Sequence, residues 1–138
     1  MEHYTALSPY LKRRFGCKVY KLSLSAGCTC PNRDGTLGAR GCIFCSGSGE
    51  FAASGSASIP EQLEQAKYIL GKKAQGAKFI AYFQDFTNTY GAVSRLEPLF
   101  LAAMEPDDVV ALSIATRPDC LPEDILRMLS RLRARKPV

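Results

Sequence analysis

Three short stretches of the chain carry the apolar patterns of β-strands. Residues 19–24 alternate apolar and polar side chains, which is the period-two pattern of a half-buried strand. Residues 79–83 and 109–114 are short continuous apolar runs, typical of strands that are buried on both faces. We therefore predict three strands at these positions.

Apolar residues at helical spacing predict helices before, between and after these strands. We expect a short leading helix over about residues 7–14 and a last helix that begins at Pro122. Ser58-Ile59-Pro60-Glu61 has the form of a capping box. Ser94-Arg95-Leu96-Glu97 repeats this pattern and predicts a helix through about Met104. The alternation of strands and helices predicts an α/β fold with a parallel sheet.

Polar and unusual residues follow each predicted strand directly. A loop rich in Gly, Ser and Cys covers residues 25–58, and shorter polar loops cover 84–90 and 116–119. In parallel α/β sheets the ligand site lies at the carboxyl ends of the strands. We therefore expect the three loops to meet in space. A structureless loop as long as the first is uncommon unless it is functional or tied by metal.

Composition narrows the class of protein only slightly. The 138 residues suffice for one domain, and 46% hydrophobic and 22% charged residues are ordinary for a globular protein. No apolar run approaches the length of about 18 residues that marks a membrane span. The N-terminus has no pattern of a secretory signal, which predicts a cytoplasmic protein. The formal net charge of +5 permits an anionic partner, although solvated helix faces explain it equally well.

The chain stops where a fourth strand is expected to begin, at Lys136-Pro137-Val138. Three strand–helix units are too few to close a barrel. We therefore expect the chain to be a fragment of a longer protein.

Four of the six cysteines fall within the 25–58 loop, here called the cysteine loop. Their spacing is Cys28-x-Cys30-x11-Cys42-x2-Cys45. Thiolates suit zinc or iron–sulfur clusters, and the close pair Cys42 and Cys45 lets two sulfurs converge on one centre. The glycines between Cys30 and Cys42 let the backbone turn tightly around an inorganic core.

Three interpretations of this spacing remain open. A zinc site would use all four cysteines, although a zinc ribbon normally has two C-x2-C pairs and one pair here is C-x-C. A redox dithiol at Cys42 and Cys45 would leave the other two thiols unexplained. A cluster with three protein ligands would keep one iron open for a substrate or cofactor.

Three segments carry a family resemblance. GCTCPNRDGTLG at 27–38, followed by GCIFCS at 41–46, resembles a branch of the radical S-adenosylmethionine (SAM) superfamily close to the catalytic subunit of Elongator. YFQDFTNTY at 82–90 and SIATRPDCL at 113–121 resemble the loops after the branch's second and third strands. The long gap before Cys42 departs from the general C-x3-C-x2-C signature but is similar to this branch. The resemblance covers nearly the whole chain and implies less than half of a full-length member.

The resemblance implies a fold and a chemistry. Residues 1–138 would form the first three βα units of a partial (β/α) TIM-type barrel, the N-terminal part of a radical SAM domain whose remainder is absent. Cys30, Cys42 and Cys45 would hold a [4Fe–4S] cluster whose fourth iron binds SAM. Reduction then cleaves SAM to methionine and a 5′-deoxyadenosyl radical, which takes a hydrogen atom from the substrate. Cys28 departs from the branch pattern, so we expect a buried free thiol there.

The resemblance also implies that Phe44, Gln84, Asn88 and Arg117 bind the cofactor. Gln84 would contact the SAM amino group, and Arg117, oriented by Asp119, would pair with the SAM carboxylate or a substrate phosphate. Each has a structural alternative: a packing aromatic, a strand-end cap, a turn residue and an ion pair, respectively.

The partners follow from the resemblance as well. It implies a tRNA substrate, at a wobble uridine, and an electron donor such as a flavodoxin or ferredoxin, with no membrane involved. Two alternatives stay open. One is a zinc-binding RNA-interaction module without catalysis, and the other is an inactive fragment.

Overall fold

The computed structural model describes residues 3–28, 31, 34–41 and 57–138, which form four α-helices and three strands. The elements in chain order are α1 (Leu7–Phe15), β1 (Val19–Leu24), α2 (Ile59–Leu70), a 3₁₀ turn (Gly71–Ala74), β2 (Lys78–Phe83), α3 (Val93–Met104), β3 (Val109–Ile114), a second 3₁₀ turn (Pro118–Cys120) and α4 (Glu123–Arg133).

The three strands form one parallel sheet in the order β1-β2-β3. Leu22 of β1 is in register with Ala81 of β2, which is in register with Leu112 of β3. Consecutive strands are therefore neighbours, and a helix lies in each connection between them. The predicted α/β fold with a parallel sheet is confirmed. The bounds of β1 and β3 are as predicted, and β2 begins one residue earlier, at Lys78.

One face of the sheet packs against the helices. Helix α2 contacts β1 and α3, and α3 contacts β3 and α4. The Phe83 and Phe100 rings meet edge to face with their centroids 5.1 Å apart. Burying an aliphatic or aromatic side chain of this size stabilises the fold by roughly 1.5–3 kcal/mol. The fully buried side chains of this core include Leu22, Leu24, Phe79, Phe83, Leu96, Phe100, Ile125, Met128 and Leu132.

Side chains alternate between the two faces of a strand, so the residues between the core positions lie on the opposite face of the sheet. This face carries several polar side chains. The Lys21 ammonium lies 4.9 Å from the centroid of the Tyr82 ring. The residues on this face, by register, include Val19, Lys21, Ser23, Lys78, Ile80, Tyr82, Ala111 and Ser113.

One of the two predicted capping boxes forms. The Ser58 hydroxyl accepts a hydrogen bond from the Glu61 N–H at 3.4 Å, and the Glu61 carboxylate accepts one from the Ser58 N–H at 2.9 Å. The box predicted at Ser94 is wrong, because α3 begins at Val93, which places Ser94 inside the helix, and the helix has no side-chain cap. The Glu97 carboxylate instead accepts two hydrogen bonds from Arg131 of α4, at 3.0 and 2.9 Å.

The last residues run along the edge of β3 that does not pair with β2. The Pro137 carbonyl accepts a hydrogen bond from the Leu112 N–H at 2.9 Å. The Lys136 ammonium donates to the carbonyls of Met104, Pro106 and Val109 at 2.5, 2.8 and 2.7 Å. This lysine therefore ties the chain end to the turn between α3 and β3.

Among the described residues, no helix has the length and apolar character that crossing a membrane requires.

Candidate functional site at the carboxyl edge of the sheet

The loops that follow the three strands meet at the carboxyl edge of the sheet, as predicted. They line an open cavity of about 550 Å³. The cysteine loop, the 84–90 loop with its following glycine, and the segment after β3 all contribute to its walls. Lining residues from the three segments include Pro31, Thr36, Leu37, Tyr90, Asp119 and Pro122.

Hydrogen bonds join the loops around this cavity. The hydroxyls of Thr36 and Tyr90 lie 3.3 Å apart. The buried Thr89 hydroxyl lies 2.5 Å from both the Thr116 hydroxyl and the Cys120 carbonyl oxygen. The loop after β2 is therefore bonded to both of its neighbours.

Asn88 caps the carboxyl ends of β2 and β3. Its side-chain amide nitrogen donates to the carbonyls of Phe83 and Ala115, at 3.0 and 3.1 Å. The side chain is only 1% exposed. The structural alternative for Asn88, a residue that holds a turn, is thus observed. Both hydrogens of its side-chain amide point at backbone carbonyls. A role for Asn88 in cofactor binding stays a prediction.

Gln84 differs from Asn88 in exposure. It is the first residue after β2, and its side chain is exposed at the carboxyl edge of the sheet. It is therefore placed where a ligand could contact it, and its cofactor role stays a prediction.

Arg117 and Asp119 form the ion pair that the sequence suggested. The guanidinium donates from Nε to Oδ1 at 3.0 Å and from Nη2 to Oδ2 at 2.9 Å. The hydrogen bonds from Arg117 lower the pKa of the Asp119 carboxyl below its ordinary value. The pair fixes the orientation of the Arg117 guanidinium at the end of β3. The role of Arg117 in cofactor binding stays a prediction.

The predicted metal ligands Cys30, Cys42 and Cys45 lie outside the described residues, and so does Phe44. Within residues 3–28, 31, 34–41 and 57–138, no three His, Cys, Asp or Glu side chains gather into a metal-binding group. The cysteines in these ranges, Cys17, Cys28 and Cys120, form no disulfide with one another.

Gln62 of α2 holds both ends of the cysteine loop. Its Oε1 accepts a hydrogen bond from the Ser25 N–H at 2.8 Å. Its Nε2 donates to the Ser25 carbonyl at 3.2 Å and to the Ala57 carbonyl at 3.0 Å. The side chain is 2% exposed, so these bonds form away from water. Sequence reasoning missed this residue, although a polar side chain on the buried stripe with Ile59 and Leu63 was an available signal.

Arg95, in the first turn of α3, holds the first stem of the same loop. Its Nη1 donates to the Ala26 carbonyl at 2.8 Å, and its Nη2 lies 3.0 Å from the Cys28 sulfur. Cys28 is the predicted free thiol and is half-buried. Burial raises the pKa of the Cys28 thiol, and the hydrogen bond and charge of Arg95 partly oppose that rise. Nothing in the sequence pattern pointed to Arg95, because the contact joins positions 67 residues apart.

Comparison with known proteins gives relatives in bacteria and archaea. Over 136 residues the chain is 45% identical to the uncharacterized protein YtqA of Bacillus subtilis, covering 97% of this chain and 42% of that protein. It is 40% identical to the protein YhcC of Escherichia coli over 121 residues, covering 86% and 38%. It is 34% identical to the uncharacterized protein MJ0486 of Methanocaldococcus jannaschii over 124 residues, covering 88% and 37%.

No family model matches the chain, and no solved structure matches it significantly. The chain spans about two fifths of the length of the curated relatives it matches, at 42%, 38% and 37%. The chain is thus similar, over most of its own length, to one part of longer bacterial and archaeal proteins.

Proposed function

We propose that the chain is the cluster-binding part of a radical SAM enzyme, with Cys30, Cys42 and Cys45 as the ligands of a [4Fe–4S] cluster. The observation that carries this proposal is the position of the cysteine loop. It follows β1 directly, and Pro31 and Thr36 of this loop line one cavity with residues of the loops after β2 and β3. Ligand sites of parallel α/β folds lie at this edge.

The sheet order supports a partial (β/α) TIM-type barrel. Strands β1, β2 and β3 add in one direction, and α2, α3 and α4 share the core on one face of the sheet. The same three-strand order also forms one half of a doubly wound sheet, which reverses direction only where its two halves join, so the choice of the barrel rests on the family resemblance. In such a barrel, the face with Lys21 and Tyr82 would point to the interior.

The donor set of the cysteine loop fits a cluster with one open iron. A structural zinc site would need four thiolates from this loop. The Cys28 sulfur lies 3.0 Å from the Arg95 guanidinium, which leaves three loop cysteines for a metal. Three thiolates suit a cluster whose remaining iron accepts a cofactor, so this contact favours iron–sulfur over a zinc site with four thiolates.

When bound, the cluster and SAM would supply reductive cleavage of the sulfonium bond and a radical able to take a hydrogen atom from a substrate. The chain would bind and orient the cofactor. Gln84 is exposed at the end of β2 and offers an amide to the polar groups of SAM. Arg117, held in direction by Asp119, offers positive charge to a carboxylate or phosphate. Asn88 would act indirectly, by holding the ends of β2 and β3 together.

The substrate and the partners are part of the same proposal. We place the enzyme in the cytoplasm, acting on tRNA at a wobble uridine and receiving electrons from a flavodoxin or ferredoxin. The formal net charge of +5 supports a polyanionic substrate, because lysine and arginine side chains bind nucleic acid through its phosphates.

The test is anaerobic reconstitution of the chain with iron and sulfide, followed by reduction and EPR spectroscopy with and without SAM. We expect a cluster signal that changes when SAM is added and that is absent in Cys42→Ala. Cys17→Ala removes a thiol outside the loop and is the matched control, which should keep both the signal and the change. A chain that instead binds one zinc and builds no cluster would reject the enzyme in favour of a zinc-binding module.

A further inference from the structure

Two side chains from neighbouring helices hold the stems of the cysteine loop. Gln62 bonds the backbone at both ends, at Ser25 and Ala57, and Arg95 bonds Ala26 and Cys28 on the first stem. We call Gln62 and Arg95 together the loop clamp.

We propose that the loop clamp positions the metal site: Gln62 and Arg95 fix the stems of the cysteine loop, and Arg95 holds the Cys28 sulfur away from the iron that must stay open. The anchoring of the stems stands on the contacts themselves. The claim about Cys28 rests on the proposed function.

The position of Cys28 in the sequence makes it a competitor for the metal. Cys28 and the proposed ligand Cys30 are two residues apart, and two residues of extended chain span roughly 7 Å. A thiol that close to a ligand can reach the same cluster once it is released. A fourth thiolate on the cluster would occupy the position that an open iron offers to a cofactor. The contact between Arg95 and the Cys28 sulfur opposes that exchange.

The surroundings of Arg95 leave room for its guanidinium. A Cβ added at Gly91 would lie 3.0 Å from Nη2 of Arg95, which is tighter than ordinary van der Waals contact. The guanidinium therefore lies against a glycine on one side and the first loop stem on the other. Gly91 directly follows the loop after β2, so Arg95 lies between that loop and the first stem of the cysteine loop.

Gln62 suits its position because it presents an acceptor and two donors. The Ser25 N–H requires an acceptor, and the carbonyls of Ser25 and Ala57 require donors. A glutamate has no donors for these carbonyls when ionised, and a leucine has neither group. At 2% exposure, water cannot easily replace the missing partner.

The metal half of the proposal is tested in the reconstituted chain by comparing wild type, Cys28→Ser, Arg95→Gln and the double variant. We expect wild type and Cys28→Ser to show the same change of the EPR signal with SAM. In Arg95→Gln the cluster remains, but the change with SAM falls roughly two- to tenfold, the worth of a typical net hydrogen bond. The double variant regains the change, because the competing thiol is gone.

Two results would overturn this half. One is an Arg95→Gln chain that responds to SAM as wild type does. The other is a double variant that fails to regain the response, since Arg95 would then act by some route other than Cys28. Arg127→Gln is the matched control, because it removes an exposed guanidinium paired with Glu123 and should leave the response unchanged. If Arg95→Gln does not fold, Arg95→Lys gives the same comparison, since an ammonium lacks the fork that reaches two partners.

The anchoring half is tested without metal, by hydrogen–deuterium exchange of the metal-free chain. The Ser25 N–H donates to Gln62 and the Gly27 N–H to the Ser25 hydroxyl, so their exchange reports on the first stem. We expect exchange there to accelerate roughly two- to tenfold in Gln62→Leu, which has neither the acceptor nor the donors, and in Arg95→Gln, and to stay unchanged in Arg127→Gln. Unchanged exchange in the first two variants would overturn the clamp. Accelerated exchange in a chain that builds no cluster would reject the proposed function and the claim about Cys28, and would leave the anchoring intact.

Discussion

The guanidinium of Arg117 and the carboxylate of Asp119 face each other fork to fork, with one hydrogen bond of 3.0 Å and one of 2.9 Å. The two residues are separated only by Pro118, whose ring limits the backbone between them. The pair lies at the end of β3 with both side chains partly open to solvent. Such a pair adds little to stability, but it fixes where a positive charge points.

The first prediction concerns the titration of Asp119. Because Arg117 stabilises the charged form, we expect the carboxyl to titrate below its ordinary value of 3.8. The folded-state pKa is lowered, so the small stabilisation from this pair is present above the ordinary pKa and is lost as the pH falls through the lowered one. Carbon-detected NMR of the carboxyl group measures this, and Arg117→Gln should return the pKa toward 3.8. An unchanged titration in Arg117→Gln would contradict the assigned cause.

The second prediction separates the two polar residues of the 84–90 loop. Asn88→Asp removes both donors to the Phe83 and Ala115 carbonyls, and it should lower the free energy of unfolding by about 1–3 kcal/mol. Gln84→Ala changes an exposed side chain, so the free energy of unfolding should stay within about 0.5 kcal/mol of wild type. Urea unfolding followed by circular dichroism measures both.

Under the proposed function, Gln84→Ala should nevertheless weaken the response of the cluster to SAM. A Gln84→Ala chain with wild-type stability and wild-type response to SAM would remove Gln84 from the cofactor site. A stability loss in Gln84→Ala as large as that in Asn88→Asp would contradict the exposed position of its side chain.

The third prediction concerns Gln62. Gln62→Glu places a carboxylate against two backbone carbonyls at a buried site, and we expect a loss of about 1–3 kcal/mol in the free energy of unfolding at neutral pH. Gln65→Glu makes the same chemical change one helical turn away on the exposed face of α2 and should be nearly neutral. The difference between the two midpoints in urea is the measurement. Equal midpoints would show that the two donor hydrogens of Gln62 do not contribute to the free energy of unfolding.

The fourth prediction concerns Lys136. Its ammonium donates to three carbonyls, at the end of α3, in the following turn and at the start of β3, and its described partners include no carboxylate. Lys136→Met keeps the length of the side chain and removes the donors, so we expect a loss of about 1–3 kcal/mol in the free energy of unfolding. Arg135→Met, at the exposed preceding position, is the matched control. The prediction is refuted if the two variants unfold at the same urea concentration.

The strands were predictable from the sequence because their signal is local. Residues 19–24 alternate, residues 109–114 form an apolar run, and both strands have the predicted bounds. The Ser58 box was predictable for the same reason, since both of its partners lie within four residues. The Ser94 box failed because the Glu97 side chain pairs with Arg131, 34 residues later, a contact that no local pattern encodes.

The features of the candidate site likewise fall into those that the sequence predicts and those that need the tertiary structure. The meeting of the three loops followed from a general rule for parallel sheets, and the Arg117–Asp119 pair from their closeness in sequence. The anchoring by Gln62 and Arg95 depends on how α2 and α3 pack beside β1, so it became visible only in three dimensions. The metal ligands Cys30, Cys42 and Cys45 rest on spacing and resemblance alone and stay predictions.

Gln62 recognises only main-chain atoms, the N–H and C=O of Ser25 and the C=O of Ala57. Every residue type has a backbone carbonyl, and every type except proline has the N–H, so these contacts do not restrict which side chains occupy positions 25 and 57. The entropy of closing a flexible loop rises only slowly with the number of residues in it. Mutation can therefore insert, delete or exchange residues between these two positions while both ends of the loop keep their hydrogen bonds to Gln62 of α2.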